Sequence, residues 1–337
     1  MSPMSPISPM IFIKSAVQIS LQQPLSEEWM SCPIQPSGPY TRSLDPNFRE
    51  WLTPLESRRM GKILRRALVT AIEALRLSGV DCPDAVITGT GLGCIENTEL
   101  FLDQLCREGE QMLKPTHFMQ STHNTISSLI AIKTRCHGYN STYSHLVISF
   151  ESALLDAFIQ MQLGDISTAL VTGNDELTPT YFTILRRTGY VGQPSQVTAS
   201  EASVAMLLQT TAEDALCQVA NVSLSHSSAH LSRLAAEADA LMMGYNGTSE
   251  NDCVYDQIAA ALPQLPVLHY KHLFGEGYSA SALGLYAAAH LLKVGTAPAF
   301  MRHDGHQSPV ALGSLLFVNH TGGQSFSGVL LKRVSTP

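Results

Sequence analysis

Residues 138–165 read GYNSTYSHLVISFESALLDAFIQMQLGD, and this stretch decides the fold. Tyr143 to Ser149 predicts a strand, and Glu151 to Leu163, made largely of Ala, Leu, Phe, Ile and Met, predicts a helix. Gly164-Asp165 ends that helix, and Ala169 to Thr172 predicts the next strand. The stretch is therefore a β-α-β unit, which favours an α/β fold with mixed or parallel sheets.

The same alternation continues on both sides of this unit, and more briefly in the second half. We therefore divide the chain into a disordered, Ser-Pro-repeating tail at 1–10, a first half at 11–210 and a shortened second half at 211–337. A long irregular loop is predicted between Gln22 and Pro54. Further predicted strands cover Ile11 to Ile19, Ala85 to Thr88, Val204 to Leu208, Leu312 to Val318 and Gly328 to Val334, and further helices cover Ser57 to Ser78 and Ala280 to Val294.

The amino-acid composition argues against several classes of protein. Charged residues are 15% of the 337, against about 25% in an average chain, which predicts a large buried fraction and a subunit interface. The net charge of −7 gives no pull toward nucleic acid or an anionic membrane. The seven cysteines are scattered without a C-x-x-C spacing, so no metal site or disulfide framework is indicated. With no secretory leader and no long apolar run, we expect a cytoplasmic protein without a membrane span.

Two local patterns carry alternative interpretations. Gly89-Thr90-Gly91-Leu92-Gly93 follows a predicted strand, but it lacks the Lys and Ser/Thr of a phosphate loop and the full dinucleotide fingerprint. We therefore expect a tight turn and no cofactor. The second pattern is a basic run that fits either a solvated helix face or a docking patch for an acidic partner: Arg58, Arg59, Lys62, Arg65 and Arg66.

Several short motifs, in this order, resemble those of the β-ketoacyl synthases of the thiolase superfamily. The resemblance covers most of the chain from about residue 58 onward and implies two similar halves in five α-β-α-β-α layers. The motifs are Arg58-Arg59-Met60, the glycine turn 89–93, the stretch 138–165, Val171 to Glu176, Ser200 to Ser203, Lys271 to Gly275 and the closing Leu331-Lys332-Arg333.

The family's catalytic residues are missing from the matching positions. Its cysteine follows a glycine by nine residues, and that count from Gly138 reaches Val147. The first catalytic histidine aligns with Gly244, in the stretch 244–252, and the second aligns with Glu276. Condensation needs an activated nucleophile and donors aimed at the developing enolate oxygen. The resemblance therefore implies that this chain does not condense acyl groups.

Other family residues are retained. They are Ser149, beside the nucleophile position, and Lys271 and Glu201, which we expect to form a buried structural ion pair. The closing glycine motif, Thr321 to Ser325, lacks the family's gating phenylalanine.

These losses favour a chain-length-factor-like subunit that pairs with an active ketosynthase, or with itself, and that meets an acyl carrier protein. The resemblance assigns Leu92, His117, Phe118 and Met119 to the acyl tunnel or the dimer interface, and Phe150 to a plug beside the old nucleophile. Short stretches of the sequence further resemble subunits of aryl-polyene and flexirubin-type pathways. The predicted strand at Tyr143 to Ser149 would extend a sheet across the two-fold axis, with Thr116 to Ser128 packing on the partner.

Two other functions stay open. One is an acyl-processing enzyme of the hydrolase or decarboxylase type, using Ser149 with His145, or Ser152 with Glu151. On a strand, however, the Cα atoms of His145 and Ser149 would be about 13 Å apart, too far for a direct hydrogen bond. The other is a self-associating regulatory pseudoenzyme. Further candidate site histidines are His117, His123, His269 and His272.

Overall fold

The computed structural model describes residues 9–58, 60–110, 113–193 and 196–334. The predicted disordered tail, apart from Pro9 and Met10, and Arg59 of the basic run lie outside these residues. The helices are α1 (Pro54–Ser57), α2 (Lys62–Ser78), α3 (Ile95–Glu108), α4 (Pro115–Ser121), α5 (Thr125–Thr134), α6 (Ser149–Leu163), α7 (Pro179–Arg187), α8 (Leu231–Ala235), α9 (Ser249–Ala261), α10 (Lys271–Phe274) and α11 (Ala280–Val294). The strands are β1 (Ile11–Ile19), β2 (Ala85–Gly89), β3 (Tyr139–Tyr143), β4 (Thr168–Asp175), β5 (Ala202–Gln209), β6 (Cys217–Ser225), β7 (Leu241–Met243), β8 (Val267–His269), β9 (Thr296–Ala297), β10 (Val310–Ala311), β11 (Ser314–Thr321) and β12 (Ser325–Lys332).

In the described part of the chain, ten strands form one continuous sheet in the order β3-β2-β4-β5-β1-β6-β12-β11-β7-β8. The first five positions hold strands one to five of the chain in the order 3-2-4-5-1. The second set consists of β6, β7, β8, β11 and β12. Counted from the β8 edge it runs β8-β7-β11-β12-β6, so its five strands, numbered within the set, also have the order 3-2-4-5-1. The repeat confirms the predicted fold of two similar halves.

The first strand of the chain links the two sets. β1 pairs antiparallel with β5 along most of its length, and only Ile11, Phe12 and Ile13 pair with β6. Of its nine residues only Lys14 is not buried, because both edges and both faces of the strand are covered. The sheets of the two halves therefore meet at β1.

Helices cover both faces of both sets of strands, which gives the five layers. α6 and α11 lie in the middle layer, where Phe150, Ala153 and Leu154 share one apolar cluster with Leu283 and Leu285. α2 and α5 cover the outer face of the first set, and α8 and α9 cover that of the second. The window 146–163 is long and apolar enough for a membrane span by composition alone. Half of it is buried inside the protein, as is usual for a central helix of a layered fold.

The predicted strand at Tyr143 to Ser149 is wrong. β3 ends at Tyr143, a 3₁₀ helix covers Leu146–Ile148, and α6 begins at Ser149. The strand stops because β2 leaves the sheet at the same level, where Thr90 N donates to Tyr143 O at 3.0 Å. β3 is the edge strand of the sheet, so the edge available for pairing lies four residues earlier than predicted.

Candidate functional site

A cavity of about 690 Å³ is lined by residues from both halves. Leu146 and Val147 contribute an apolar wall, and the remaining lining is mostly amide, hydroxyl and aromatic. The polar and aromatic lining comprises Thr188, Tyr190, Gln193, Gln196, Asn246, Thr248, Ser249, Asn251, Tyr278, His320 and Thr321, with Lys271, Glu276 and Glu250 as charged groups.

Val147 lies in a tight turn directly before α6. Leu146 has a φ of 50°, in the left-handed region that is costly for a side chain and is concentrated at functional sites. Ser149 Oγ fastens the turn, since it donates to Leu146 O at 2.6 Å and accepts from His145 N at 2.8 Å. The Val147 carbonyl accepts from Asn319 Nδ2 at 3.0 Å. The turn thus presents a side chain to the cavity from a fixed backbone, but that side chain has no nucleophilic atom.

A buried carboxyl supports this turn from behind. Glu151 accepts from Asn319 Nδ2 at 2.8 Å, Ser281 Oγ at 2.7 Å and Ser327 Oγ at 3.0 Å. Asn319 and Ser281 also donate to the Val147 carbonyl, so one network holds both groups. Burial raises the pKa of the Glu151 carboxyl despite these three donors.

An ion pair lies at the second-histidine position. Lys271 Nζ is 2.8 Å from Glu276 Oε2, and both side chains are buried. Asn246 Nδ2 donates to the same oxygen at 2.7 Å, and Gly277 N donates to Oε1 at 3.0 Å. Lys271 and Asn246, two donors that line the cavity, are thus committed to Glu276, and Lys271 balances its negative charge.

The predicted pairing of Lys271 with Glu201 is therefore wrong. Glu201 instead lies 2.8 Å from Arg66 Nη1 and accepts from Leu177 N at 3.1 Å. Arg66 is fully buried on α2 and also pairs with Asp45. The basic run consequently includes one structural arginine rather than belonging wholly to a solvated face or a docking patch.

Gly244 does not occupy a catalytic position facing the cavity. A Cβ atom there would lie 2.8 Å from Lys271 Cε and 3.0 Å from the hydroxyl oxygens of both Tyr255 and Tyr270. The residue that lines the cavity beside Glu276 is Asn246, two positions later. Gly244, which the resemblance aligns with the first histidine, is therefore not among the lining residues, whereas Asn246 is, and Asn246 is followed by a Gly-Thr pair like that of the family motif.

His320 is a cavity residue that the sequence analysis missed. Gly323 N donates to its Nδ1 at 3.2 Å, and its Nε2 is 3.2 Å from the Asn251 carbonyl, which fixes a neutral tautomer protonated at Nε2. Burial lowers the pKa of this imidazole to about 4. Both ring nitrogens are therefore occupied by the protein at neutral pH. Its place directly before the altered closing motif, beside Asn319, is the signal that could have identified it.

The glycine turn 89–93 is fixed by one buried carboxylate. Asp175 accepts from Gly91 N at 3.0 Å, from Leu92 N at 2.8 Å and from Thr90 Oγ1 at 2.9 Å. These amides are engaged within the protein, and Leu92 borders a small pocket beside Tyr278 and Glu276. The turn is thus a structural support for the cavity wall.

The tunnel and interface candidates separate into exposed and buried residues. Phe118 and Met119 on α4 are 57% and 70% exposed, and His117 Nδ1 is 3.4 Å from Asn97 Oδ1. Phe150 is buried in the central core against Gly173 and is not among the residues that line the cavity. The turn itself, with Leu146 and Val147, closes that side of the cavity.

The imidazole ring of His145 contacts Ser152 and not Ser149. His145 and Ser149 are joined through the His145 backbone rather than its ring, because the segment is a turn and not a strand. His145 Nδ1 instead lies 3.2 Å from Ser152 Oγ, which donates to Ile148 O. The rings of His269 and His272 stack on each other at 3.9 Å outside the cavity, and His123 packs on Gly93. Within the described ranges no cluster of His, Cys, Asp and Glu is arranged to hold a metal ion.

Comparisons with known proteins give a consistent result. The sequence model of the family described as "Beta-ketoacyl synthase, N-terminal domain" matches residues 27–250, about two thirds of the chain. No curated protein matches the sequence. Among solved structures, the chain is similar to "The ishigamide ketosynthase/chain length factor", with a TM-score of 0.80 and 17% identity over 98% of this chain and 100% of that one.

Two further structures show the same likeness. One is a β-ketoacyl synthase from Burkholderia phymatum STM815, with a TM-score of 0.78 and 14% identity over 97% of this chain and 100% of that one. The other comes from a type II polyketide synthase acyl-carrier protein in complex with its ketosynthase bound to the hexaketide, with a TM-score of 0.78, 11% identity and the same coverage. At these identities the structural matches establish the thiolase-like fold.

Proposed function

This chain belongs to the β-ketoacyl synthase family, and from that premise we propose that it is a non-condensing subunit. In this proposal it pairs with an active ketosynthase and shapes the length of acyl chains that are built on an acyl carrier protein. The observation that carries the proposal is Val147, an aliphatic side chain in the strained turn where the family holds its nucleophile.

No thiol takes the place of the nucleophile among the described residues that line the cavity. None of the seven cysteines is among its lining residues, and all seven are free thiols within the described part of the chain. Acyl transfer to an enzyme requires an activated nucleophile. The absence of a thiol from this cavity therefore supports a subunit that does not carry an acyl group covalently.

Three polar groups of the cavity, Lys271, Asn246 and His320, do not suit an enolate either. Oxyanion stabilisation needs donors that are free to meet the developing charge. Lys271 and Asn246 donate to Glu276, and His320 Nε2 is turned toward a backbone carbonyl. These engagements support a cavity that has lost the decarboxylation step along with the nucleophile.

The exposed apolar residues of α4 and the unpaired edge of β3 support a partner subunit. Phe118 and Met119 lie on α4, and Leu146 is 53% exposed at the cavity mouth. β3 offers an unpaired edge, which proteins commonly cover by pairing with another chain. We expect α4 to contact the partner and border its acyl tunnel.

Co-expression with an active ketosynthase and an acyl carrier protein tests the proposal. We expect a heterodimer on size-exclusion chromatography, and shifted product lengths when Phe118→Ala or Met119→Ala alters the tunnel. Leu163→Ala, at the exposed end of α6, is the matched control and should leave product lengths unchanged. A chain that stays monomeric beside every ketosynthase tried, or unchanged products across the α4 variants, would overturn the assignment.

The alternative acyl-processing enzyme rests on the contact between His145 and Ser152. Ser152 is only 7% exposed and does not line the cavity, so a substrate in the cavity would not reach it. A serine-reactive fluorophosphonate probe separates the two functions. Labelling of Ser152 that requires His145 would favour the enzyme over the binding subunit.

A further inference from the structure

Two cysteines occupy equivalent positions before neighbouring parallel strands. Ala85 of β2 pairs with Tyr139 of β3, and Cys82 and Cys136 each lie three residues upstream of that pair. Paired strands are separated by about 4.8 Å. A disulfide requires Cα atoms about 4.4–6.8 Å apart, so the strand register brings these cysteines into the bonding range.

Direct contacts show that the two segments stay together upstream of the strands. Tyr139 N donates to Asp84 O at 3.1 Å, which continues the pairing past the last ladder residue. A Cβ atom on Gly138 would lie only 2.0 Å from Asp84 O, so the backbones are in close contact at this level. Only a glycine permits that approach, and it keeps the two cysteine-bearing turns side by side.

Each thiol reaches across to the opposite segment. Cys82 Sγ is 3.5 Å from Arg135 O, the residue before Cys136, and Cys136 Sγ is 3.1 Å from Pro83 O, the residue after Cys82. These reciprocal contacts place each sulfur atom against the segment that carries the other cysteine. The pKa of the Cys136 thiol is raised mainly by burial, and the Cys82 thiol adds to that effect.

We propose that Cys82 and Cys136 form a redox-active thiol pair that reacts with a peroxide and closes to a disulfide. Cys82 is exposed and Cys136 is buried, which assigns the first attack to Cys82. The Cys82 thiolate attacks one peroxide oxygen, so an S–O bond forms, the O–O bond breaks and water leaves after protonation. The Cys136 sulfur then attacks the Cys82 sulfenic acid, so the S–S bond forms, the S–O bond breaks and a second water leaves.

The disulfide would fasten the start of edge strand β3 to the start of β2. The enclosed segment between Cys82 and Cys136 contains α3, α4 and α5. Oxidation would therefore restrain α4 and the exposed sheet edge without altering the cavity residues. This inference stands on the strand register and does not depend on the proposed function.

The test uses the full chain, reduced and then treated with one equivalent of hydrogen peroxide. After alkylation in denaturant, peptide mapping should find a Cys82–Cys136 linked peptide that is 2 Da lighter than its two reduced parts. Cys106→Ser and Cys253→Ser replace exposed thiols elsewhere and should leave the link intact. Cys136→Ser should instead leave a sulfenic acid on Cys82 that dimedone traps.

Each result decides the proposal. A linked peptide that forms in the wild type and in both control variants, but not in Cys82→Ser, supports it. If Cys136→Ser does not fold, Cys82→Ser alone serves as the negative variant. Full alkylation of both thiols after peroxide, or links between Cys82 and cysteines other than Cys136, would overturn it.

Discussion

Replacing Lys271 with Met tests how much stability is lost when one charge of the buried Lys271–Glu276 pair is left without its partner. Lys271 and Glu276 are 5% and 3% exposed, so the substitution leaves a buried carboxylate with only Asn246 and Gly277 as donors. Breaking a buried pair on one side costs about 3–5 kcal/mol, because the remaining charge is uncompensated. Glu276→Gln should be costly for the same reason, since it strands the ammonium group.

The double variant K271M/E276Q removes both charges together. Replacing a buried pair by neutral groups is often neutral or stabilising, so we expect its free energy of unfolding to lie within about 2 kcal/mol of the wild type. The double-mutant cycle then gives a large coupling energy. Lys332→Met is the control, because Lys332 makes a 2.7 Å pair with Glu237 at the surface and should contribute less than about 1 kcal/mol.

Urea denaturation at pH 7, followed by circular dichroism, measures all five proteins. The reasoning fails if both single variants lose less than about 1 kcal/mol, or if the double variant loses the sum of the two. Either result would mean that solvent reaches the pair and that Glu276 is open to a ligand.

Three further predictions concern the cavity and its support. Val147→Cys should form no condensation product by mass spectrometry, because Asn246 and Lys271 remain committed to Glu276; measurable product would show that another group supplies the donors. Gly244→Ala should destabilise the fold by about 1–3 kcal/mol in urea titration, since its Cβ would lie 2.8 Å from Lys271 Cε, and an unchanged midpoint would contradict that crowding. Burial raises the pKa of Glu151 in the folded state, so its contribution to stability is present below pH 4.5 and is lost as the pH rises. Glu151→Gln should therefore become more stable relative to the wild type between pH 5 and pH 8, and a constant difference would refute this sign.

Hydrophobic periodicity was enough to predict most of the elements. The predicted strand Ile11 to Ile19 coincides with β1, and the predicted helix Ala280 to Val294 coincides with α11. Both segments are buried along most of their length, so their composition reflects their surroundings. Tyr143 to Ser149 failed because its backbone groups bond to side chains, including Ser149 and Asn319, instead of to a neighbouring strand. Those partners are distant in sequence or depend on a turn, and a local pattern carries no information about them.

The sequence predicted the site residues that lie a fixed number of positions from a recognisable motif. Val147 and Glu276 were found by counting from nearby glycine motifs, and both line the cavity. Asn246 was missed because the motif was aligned from Gly244, and spacing along the chain does not show which residue of this loop lines the cavity. The partner of Glu201 was missed for another reason, since Arg66 lies on a helix more than a hundred residues away and only the packed fold brings the two charges together.

The position of β1 between β5 and β6 has a consequence for synthesis on the ribosome. The chain makes β1 first, yet its main partner β5 begins only at Ala202. At about 5–20 residues per second, the intervening chain takes roughly 10–40 s to emerge. During that interval a nascent strand of nine mostly apolar residues has neither of its native neighbouring strands, which is the condition under which chaperones bind and neighbouring nascent chains aggregate. Slower translation between β1 and β5 would lengthen this exposure and lower the yield of folded protein, although every finished molecule would have the same structure.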